Sequence, residues 1–451
     1  MEEHKFRYWK MYPLGLAYCL LLFLMSALLD STENILNGMK IILFTNDTLI
    51  TDYFASAGVG AALFNSAIIV STTLFTLWVA RDPLNGFTIA VLGLMSGFAL
   101  FGKNLLNSLP ILLGGWLYAK YQKHDFQRYV NATLLCTCLG PIVSFICFSG
   151  GGIWSFLTGM LVGVIIGFVL PSLSSYTFKL QNGMNLYNMG FACGLFGMIV
   201  VAILSSLKRT PQSALFWATG YNLPFAILLS LLCVFFIVAG LYFCKRPPWA
   251  AWAGYRKLLK SSGRAPSDYL RAYGSSATLI NMGVNGLIAT GYILLIGGDL
   301  NGCTIGGILT VIGFSGYGKH ARNITPILAG MTLGGLVMDW HLTDPASQIA
   351  CLFCTTLAPI SGYFGWPYGI LAGFLHSCLV LKTGGPVHGL NLYNNGFSGG
   401  IIAIVLYPTL TAIARHRKAV LQDEDYFDIA EGDTPTPPPD LNDPQEPEGA
   451  D

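Results

Sequence analysis

Two lysines occur at matched positions inside segments that are otherwise apolar. Lys103 and Lys319 each lie in the pattern Gly-Lys-x-x-x-Asn-x-x-Pro-Ile-Leu, which occurs twice in the chain. A lysine within hydrocarbon costs about 2.5–3.5 kcal/mol on insertion scales, so it normally faces a cavity or a partner. The pair therefore predicts a site that binds or gates an anion. The alternative is that each lysine snorkels to the membrane surface from a shallow position.

Asparagines and tyrosines recur in the same paired manner. A carboxamide offers two donors and two acceptor lone pairs, so it can ligate a neutral solute, an anion or a cation. Asn85 and Asn301 stand directly before a glycine at a helix start, which favours helix capping. We expect the other pairs to line the solute pathway, and packing between helices is the alternative. The candidate substrate-binding residues are Lys103, Lys319, Asn107, Asn323, Asn185, Asn188, Tyr187, Asn391, Asn394 and Tyr393.

Two histidines break the pairing. His376 and His388 align with Leu170 and Asn182 of the first half. A proton-coupling role is one interpretation and simple packing is the other. The spacing of Cys351 and Cys354 has no second Cys or His pair beside it, and no segment resembles a Walker loop, a zincin or a nucleophile elbow. We expect no enzyme activity, no cofactor and no bound metal.

The pairing results from an internal duplication. With a shift of 216 residues, 85–114 aligns without gaps on 301–330, and 13 of these 30 positions are identical. With a shift of 206, eight of the twelve residues 183–194 match 389–400. Apolar membrane segments share leucines by chance, but they do not share Asn, Lys, Pro and Gly in register. The sequence therefore predicts two copies of one ancestral unit.

The composition is that of a polytopic membrane protein. Hydrophobic residues make up 53% of the 451 residues and charged residues only 11%, against roughly 25% charged in a soluble domain. Several runs reach the roughly 20 apolar residues that cross a bilayer, the clearest being Met11–Leu29, Gly58–Ala80 and Phe216–Phe243. The first run is interpreted as a retained signal-anchor helix rather than a cleaved signal peptide.

Charge bias predicts how the halves are oriented. Lys and Arg are enriched at the N-terminus, in the central linker and at 415–418, whereas the loop 30–52 is acidic. Because cytoplasmic loops are basic, the first half enters from outside and the second from inside, with both termini cytoplasmic. This is an inverted repeat in a multi-pass protein of the plasma (inner) membrane.

Each first block is too short to hold two spanning helices. Gly86–Phe101 and Leu105–Ala119 predict a re-entrant hairpin with its tip near Gly102 and Lys103. The second block begins with a polar, Gly-containing stretch before an apolar helix, which predicts a broken helix. The fold class is thus all-α integral membrane protein, with two inverted-topology repeats that each contain spanning helices, a re-entrant hairpin and a broken helix.

Five regions follow from these signals. We predict an N-terminal signal-anchor helix and external loop at 1–52, and the first membrane repeat at 53–215. A linking helix (216–241) and a basic cytoplasmic linker complete 216–273, and the second repeat occupies 274–418. Residues 419–451 form an acidic, Pro-rich tail that is expected to be disordered.

The motifs Gly-Lys-x-x-x-Asn-x-x-Pro-Ile-Leu and Gly-x-Asn-Leu-Tyr-Asn-x-Gly-Phe resemble those of an uncharacterised family of bacterial polytopic membrane proteins, a domain of unknown function. The stretches 82–86 and 389–396 are also similar to the Asn-Pro-Leu-Thr-Gly and Gly-Leu-Tyr-Gly-x-Asn-Gly stretches of the two-halved urea transporters. That likeness implies a pore between two halves. The chain departs from the urea transporters in its intramembrane lysine pair and in the separation of the motifs.

These observations favour a transporter or channel for a small polar or anionic solute, with its pathway between the repeats. A urea-like channel for neutral solutes is the first alternative, and a membrane scaffold or sensor that binds cytoplasmic partners is the second. The expected partners are the lipid bilayer and a small-molecule or ion substrate. A homo-oligomer is compatible with the sequence, and no nucleic-acid partner is expected.

Overall fold

The computed structural model describes residues 12–47, 49–211, 214–244 and 248–416. These residues are almost entirely α-helical, which confirms the predicted fold class. Within them, nine helical stretches are long and apolar enough to cross a membrane. The basic N-terminal residues 5–10, Arg417, Lys418 and the acidic tail 419–451 lie outside the described residues. Residues 409–416 are the described part of a separate second unit, which is the end of the last helix.

The first half contains ten α-helices and one short strand. Turns of 3-10 helix, Phe126–Arg128 and Thr137–Leu139, stand before and after the seventh helix. In chain order the elements are α1 (Tyr12–Leu29), α2 (Thr32–Phe44), β1 (Leu49–Thr51), α3 (Tyr53–Ala57), α4 (Val59–Val79), α5 (Gly86–Phe98), α6 (Leu105–Tyr121), α7 (Val130–Cys136), α8 (Gly140–Ser149), α9 (Gly152–Leu180) and α10 (Asn188–Ser206).

The second half repeats the order of the helices, except that the kinked helix α13 (Tyr269–Leu295) takes the place of α3 and α4, and its 3-10 turns are at Cys354–Leu357 and Gly385–Val387. Its strand β2 pairs in parallel with β1. The elements are β2 (Ala214–Phe216), α11 (Asn222–Tyr242), α12 (Pro248–Leu258), α13 (Tyr269–Leu295), α14 (Gly302–Phe314), α15 (Ala321–Val337), α16 (Pro345–Phe353), α17 (Ala358–Phe364), α18 (Trp366–Thr383) and α19 (Asn394–His416).

The linking helix begins later than the predicted residue 216. Residues 214–216 form β2 instead, and Gly220 follows with a φ of 88°, a left-handed conformation that interrupts any helix. Helix α11 therefore starts at Asn222. The broken helix of the second motif is confirmed as a non-helical stretch, 181–187, between α9 and α10.

Helices α1 and α11, and likewise α2 and α12, occupy equivalent places in the two halves. Gly38 of α2 packs on Ala61, and Gly254 of α12 packs on Ala277, with the same 216-residue shift for both partners. Ser26 of α1 donates to the Gly60 carbonyl (2.7 Å). In the second half, Gly240 of α11 packs on the carbonyl of Ser276, the residue that matches Gly60. The helices that the sequence assigned to an N-terminal anchor and a linker are thus the first helices of each half.

The two halves meet where α5 packs against α14. A Cβ on Gly97 would lie 2.3 Å from the Gly306 carbonyl oxygen, and one on Gly93 would lie 2.8 Å from the Cα of Gly313. Small residues allow this close approach between membrane helices. Contacts run in opposite directions along the two helices, so α5 and α14 are antiparallel. Equivalent antiparallel helices are related by an axis perpendicular to both, which is the geometry of an inverted repeat.

Each half also caps the hairpin of the other. Asp52 accepts a hydrogen bond from the amide of Gly302 (3.1 Å), the first residue of α14. Its mate Asp268 accepts from the amide of Gly86 (3.1 Å), the first residue of α5. A carboxylate at a helix N-terminus satisfies free amides and interacts favourably with the helix dipole. The caps therefore hold the two short helices in register.

Replacing Gly97 by leucine is expected to separate α5 from α14. The added side chain has no space beside Gly306, and overpacking of this kind typically costs about 1–3 kcal/mol. The apparent unfolding temperature in detergent should fall. Gly291→Leu is the matched control, because no atom lies within 4 Å of a Cβ at Gly291. Equal unfolding temperatures for the two variants would contradict this packing.

Candidate functional site

The turn between α5 and α6 and the turn between α14 and α15, named hairpin tips after the predicted hairpins, position the two lysines. After α5 the chain turns at Gly102, whose φ of 77° favours glycine, and Lys103 follows. Asn107 closes the turn: its carboxamide accepts from the Asn104 amide (3.0 Å) and donates to the Gly102 carbonyl (3.1 Å). Asn323 makes the matching bonds at the second tip. Both asparagines, predicted as substrate ligands, therefore shape the tips that carry the lysines.

A further pair of asparagines was missed by sequence reasoning. Asn65 of α4 donates to the carbonyls of Ala99 (2.7 Å) and Lys103 (2.8 Å). Asn281 of α13 donates to the Lys319 carbonyl (2.7 Å) in the same way. Each amide thus ties a hairpin tip to the preceding long helix. The available signal was the spacing, since Asn65 and Asn281 are also 216 residues apart.

Lys319 is completely buried at the contact between the halves. Its ammonium donates to the hydroxyl of Tyr187, from the other half, and to Oγ1 of Thr355 (2.7 Å). It also lies 4.4 Å from the centroid of the Tyr187 ring and 5.3 Å from that of Phe314. An ammonium has three donors, so these two bonds leave one without a protein acceptor.

Lys103 is equally buried but differently bonded. Its ammonium donates to the thioether of Met95 (3.0 Å), a weak acceptor, and lies 5.4 Å from the Phe98 ring centroid. Tyr393 is the mate of Tyr187, yet its buried hydroxyl has no hydrogen-bond partner. The two lysine sites, related by the duplication, therefore differ in their bonding.

Neither ammonium is paired with a carboxylate in the part of the chain that the structure describes. Removing a charge from water costs several kcal/mol even after the protein relaxes. Hydroxyl acceptors and aromatic faces offset part of that cost, the aromatic contacts by about 0.5–2 kcal/mol each. Within the described residues, the two lysines therefore have no neighbouring opposite charge.

The second motif brings the tyrosines together. The ring centroids of Tyr187 and Tyr393 are 4.6 Å apart. Asn185 donates to the Gly396 carbonyl (2.9 Å) and Asn391 to the Gly190 carbonyl (3.3 Å), so each loop is bonded to the other half. The Oδ1 atom of Asn185 also accepts from the backbone amide of Tyr187, and that of Asn391 accepts from the backbone amide of Tyr393. These two asparagines position the tyrosine pair.

The remaining predicted asparagines bond within their own halves. Asn188 donates to the Ser174 carbonyl (2.8 Å) of α9, and Asn394 donates to Thr383 (3.1 Å) at the end of α18. Their place on a pathway remains a prediction. Asn85 and Asn301 accept from the amides of their third helical residues in capping boxes, so the favoured capping role is confirmed.

A buried acid lies beside the first hairpin tip and has no equivalent in the second half. Asp47 accepts hydrogen bonds from the hydroxyls of Tyr53 (2.8 Å) and Ser144 (2.9 Å). The side-chain amides of Asn104 and Asn107 also donate to it. Burial raises the pKa of Asp47 to about 7, against the lowering effect of these bonds. The matching position in the second half is Gly263.

No group of three or more His, Cys, Asp or Glu side chains is placed to hold a metal ion among the described residues. The hairpin tips, the tyrosine pair and the antiparallel helices together define the candidate site.

A family model described as protein of unknown function (DUF1576) matches residues 31–206 and 248–412. The chain belongs to this family. The two DUF1576 regions begin at α2 and α12, in agreement with the equivalence of these helices. Comparisons with curated proteins and with solved structures find no match. The likeness to urea transporters therefore remains a prediction.

The two tyrosines provide a matched test of the lysine geometry. Tyr187→Phe removes an acceptor from the buried Lys319 ammonium and should lower stability by about 1–3 kcal/mol. Tyr393→Phe removes a hydroxyl without a partner and should be neutral or stabilising. Thermal unfolding in detergent would compare the two. A greater loss for Tyr393→Phe would overturn the described asymmetry.

Asp47 should make stability depend on pH. The carboxyl loses its proton near 3.8 in an unfolded chain but near 7 in the fold, so the folded state binds more protons between these values. Its contribution to stability therefore falls as pH rises through this window, on the order of 1 kcal/mol per pH unit. Asp47→Asn should flatten the pH dependence of thermal unfolding, whereas the exposed control Asp339→Asn should not. An unchanged slope in Asp47→Asn would contradict a neutral buried acid.

Proposed function

We propose that this protein is a transporter or channel for a small anion or similar polar solute, rather than an enzyme. The pathway would run between the two repeats, past Lys103 and Lys319. The observation that carries the proposal is the pair of completely buried ammonium groups without carboxylate partners among the described residues. An anion between them would supply the opposite charge that the surrounding protein lacks.

The architecture supports a solute pathway. Each lysine stands on a non-helical turn between two short helices, and such backbone at membrane depth is tolerated where it is buried or lines a cavity. The proposed topology makes each hairpin re-entrant, with the two tips entering from opposite sides of the plasma membrane. Inverted repeats with interrupted helices at matched positions are typical of secondary transporters. A scaffold has no need for lysine and asparagine at membrane depth in both halves.

The unequal lysines favour a carrier that alternates between two states. In the described state Lys319 bonds to Tyr187, whereas Lys103 does not bond to Tyr393. Because the two halves share one plan, exchanging these arrangements would give a second conformation of similar energy. The exchange would open the pathway first at one hairpin and then at the other, as alternating access requires.

Flux into proteoliposomes tests the proposal. Chloride, nitrate, phosphate and succinate would be compared with urea and glycerol, for wild type and for Lys103→Gln/Lys319→Gln. We expect an anion flux that falls at least tenfold in the double variant. Lys103→Arg/Lys319→Arg should keep more of it, because the charge is retained. Lys179→Gln, on an exposed lysine of α9, is the matched control.

The outcomes separate the alternatives. A urea or glycerol flux that survives loss of both lysines would replace the anion hypothesis with a urea-like channel. No flux of any of these solutes, from folded and correctly inserted protein, would favour the scaffold or sensor hypothesis.

A further inference from the structure

Three buried polar residues of the second half replace apolar residues of the first. His376 on α18, and Asn395 and Ser398 on α19, correspond by the 206-residue shift to apolar positions. All three are at least nine-tenths buried, and so are their counterparts. The counterparts are Leu170, Met189 and Ala192.

The three polar side chains form one cluster. The Nε2 atom of His376 lies 3.1 Å from Oγ of Ser398, and Ser398 donates to the Asn395 carbonyl (3.1 Å). In the tautomer with the proton on Nε2, the imidazole donates to Ser398, the serine donates to the Asn395 carbonyl, and Nδ1 is the bare acceptor.

Two acceptors of the cluster have no partner within the described structure. They are Nδ1 of His376 and the carboxamide oxygen Oδ1 of Asn395. A buried polar atom left unsatisfied costs about 1–3 kcal/mol. The apolar residues of the first half show that this fold can fill the same positions without that cost. The polar set therefore has a purpose other than packing.

The cluster adjoins the lysine site. Asn395 is two residues from Tyr393, whose hydroxyl is also without a partner and whose ring packs on Phe98 (5.4 Å between centroids). Phe98 in turn lies beneath the ammonium of Lys103. The start of α19 and two aromatic rings thus connect His376 with Lys103.

We propose that His376, Asn395 and Ser398 form a proton-binding site that couples proton uptake to movement of the anion. A proton added at Nδ1 turns an acceptor without a partner into a donor, and Oδ1 of Asn395 is an acceptor without a donor. No bond other than this N–H bond forms or breaks. The coupling rests on the proposed function, whereas the proton site does not. A proton that moves with the anion neutralises the charge that the anion carries.

Within the described part of the chain, His376 forms no hydrogen bond or ion pair with a titratable side chain. Its polar neighbours are Ser398 and the Asn395 carbonyl. The titratable or charged residues within and beside α18 and the elements around it, as far as residue 407, are Arg322, Cys351, Cys354, Tyr363, Tyr368, Cys378, Lys382, His388, Tyr393 and Tyr407.

The chain supplies its own variants for a test. His376→Leu/Asn395→Met/Ser398→Ala installs the residues that the first half uses, so its packing has a precedent. His388→Asn is the matched control, because Asn182 holds the equivalent left-handed position (φ of 52° against 45°).

Proteoliposomes with pyranine inside would report proton movement driven by whichever of the four tested anions gives the largest lysine-dependent flux. Wild type should acidify the lumen during anion uptake. The triple variant should lose this proton movement at least tenfold, while exchange of labelled anion across equal concentrations persists. His388→Asn should behave as wild type. Unchanged proton movement in the triple variant would overturn the coupling.

A direct readout keeps the proton site testable if no anion is carried. Solid-state NMR of the protein labelled with 15N-histidine, in lipid, would compare wild type with His376→Leu. A resonance that titrates with pH and disappears in the variant supports the site. The 15N resonance of His376 could instead keep the chemical shift of a neutral imidazole, with and without anion, over the whole pH range in which the protein stays folded. That result would overturn the proton site even where transport is confirmed.

Discussion

The rest of the site depends on two ammonium groups, Lys103 and Lys319, that are kept away from water without a carboxylate partner among the described residues. The turns that carry them are built in the same way. A left-handed glycine turns the chain before each lysine, and one asparagine closes the turn. A second asparagine, on a long helix, holds the lysine carbonyl. The net cost of several kcal/mol is maintained twice, at positions that duplication made equivalent. A cost that is kept in both copies indicates use rather than accident.

Much of this site could be predicted because polar residues are rare in membrane segments. Their recurrence in register revealed the helix breaks at Gly102 and Gly318, the second motif and the capping role of Asn85 and Asn301. Asn65 and Asn281 escaped notice because a single shared asparagine within an apolar helix carries little signal. Helices α1 and α11 escaped for a different reason. Lipid-facing surfaces require only apolar character, so the two helices diverged in sequence while keeping one position in the fold.

The differences between the halves could not be predicted from the motifs that they share. Both halves contain the lysine and the tyrosine, but Met95 stands where the second half has Val311, and only one ammonium reaches its tyrosine. The bonding partner is decided by side chains packed from distant segments. The two hairpin tips also differ in charge, because the first has Asp47 beside it where the second has Gly263. Duplication fixed a common backbone, and later substitutions gave its two copies different electrostatics.

The reciprocal caps of Asp52 and Asp268 have a consequence for the origin of the fold. The N-termini of α5 and α14 each have two caps, an asparagine from the same half and a carboxylate from the other half. A single half would gain the carboxylate cap only beside a second copy inserted in the opposite direction. This arrangement is the one expected from an ancestor of half this length that worked as a homodimer of oppositely oriented subunits. Fusion of two such copies would leave each half free to change separately, as the differences at His376, Asn395 and Ser398 illustrate.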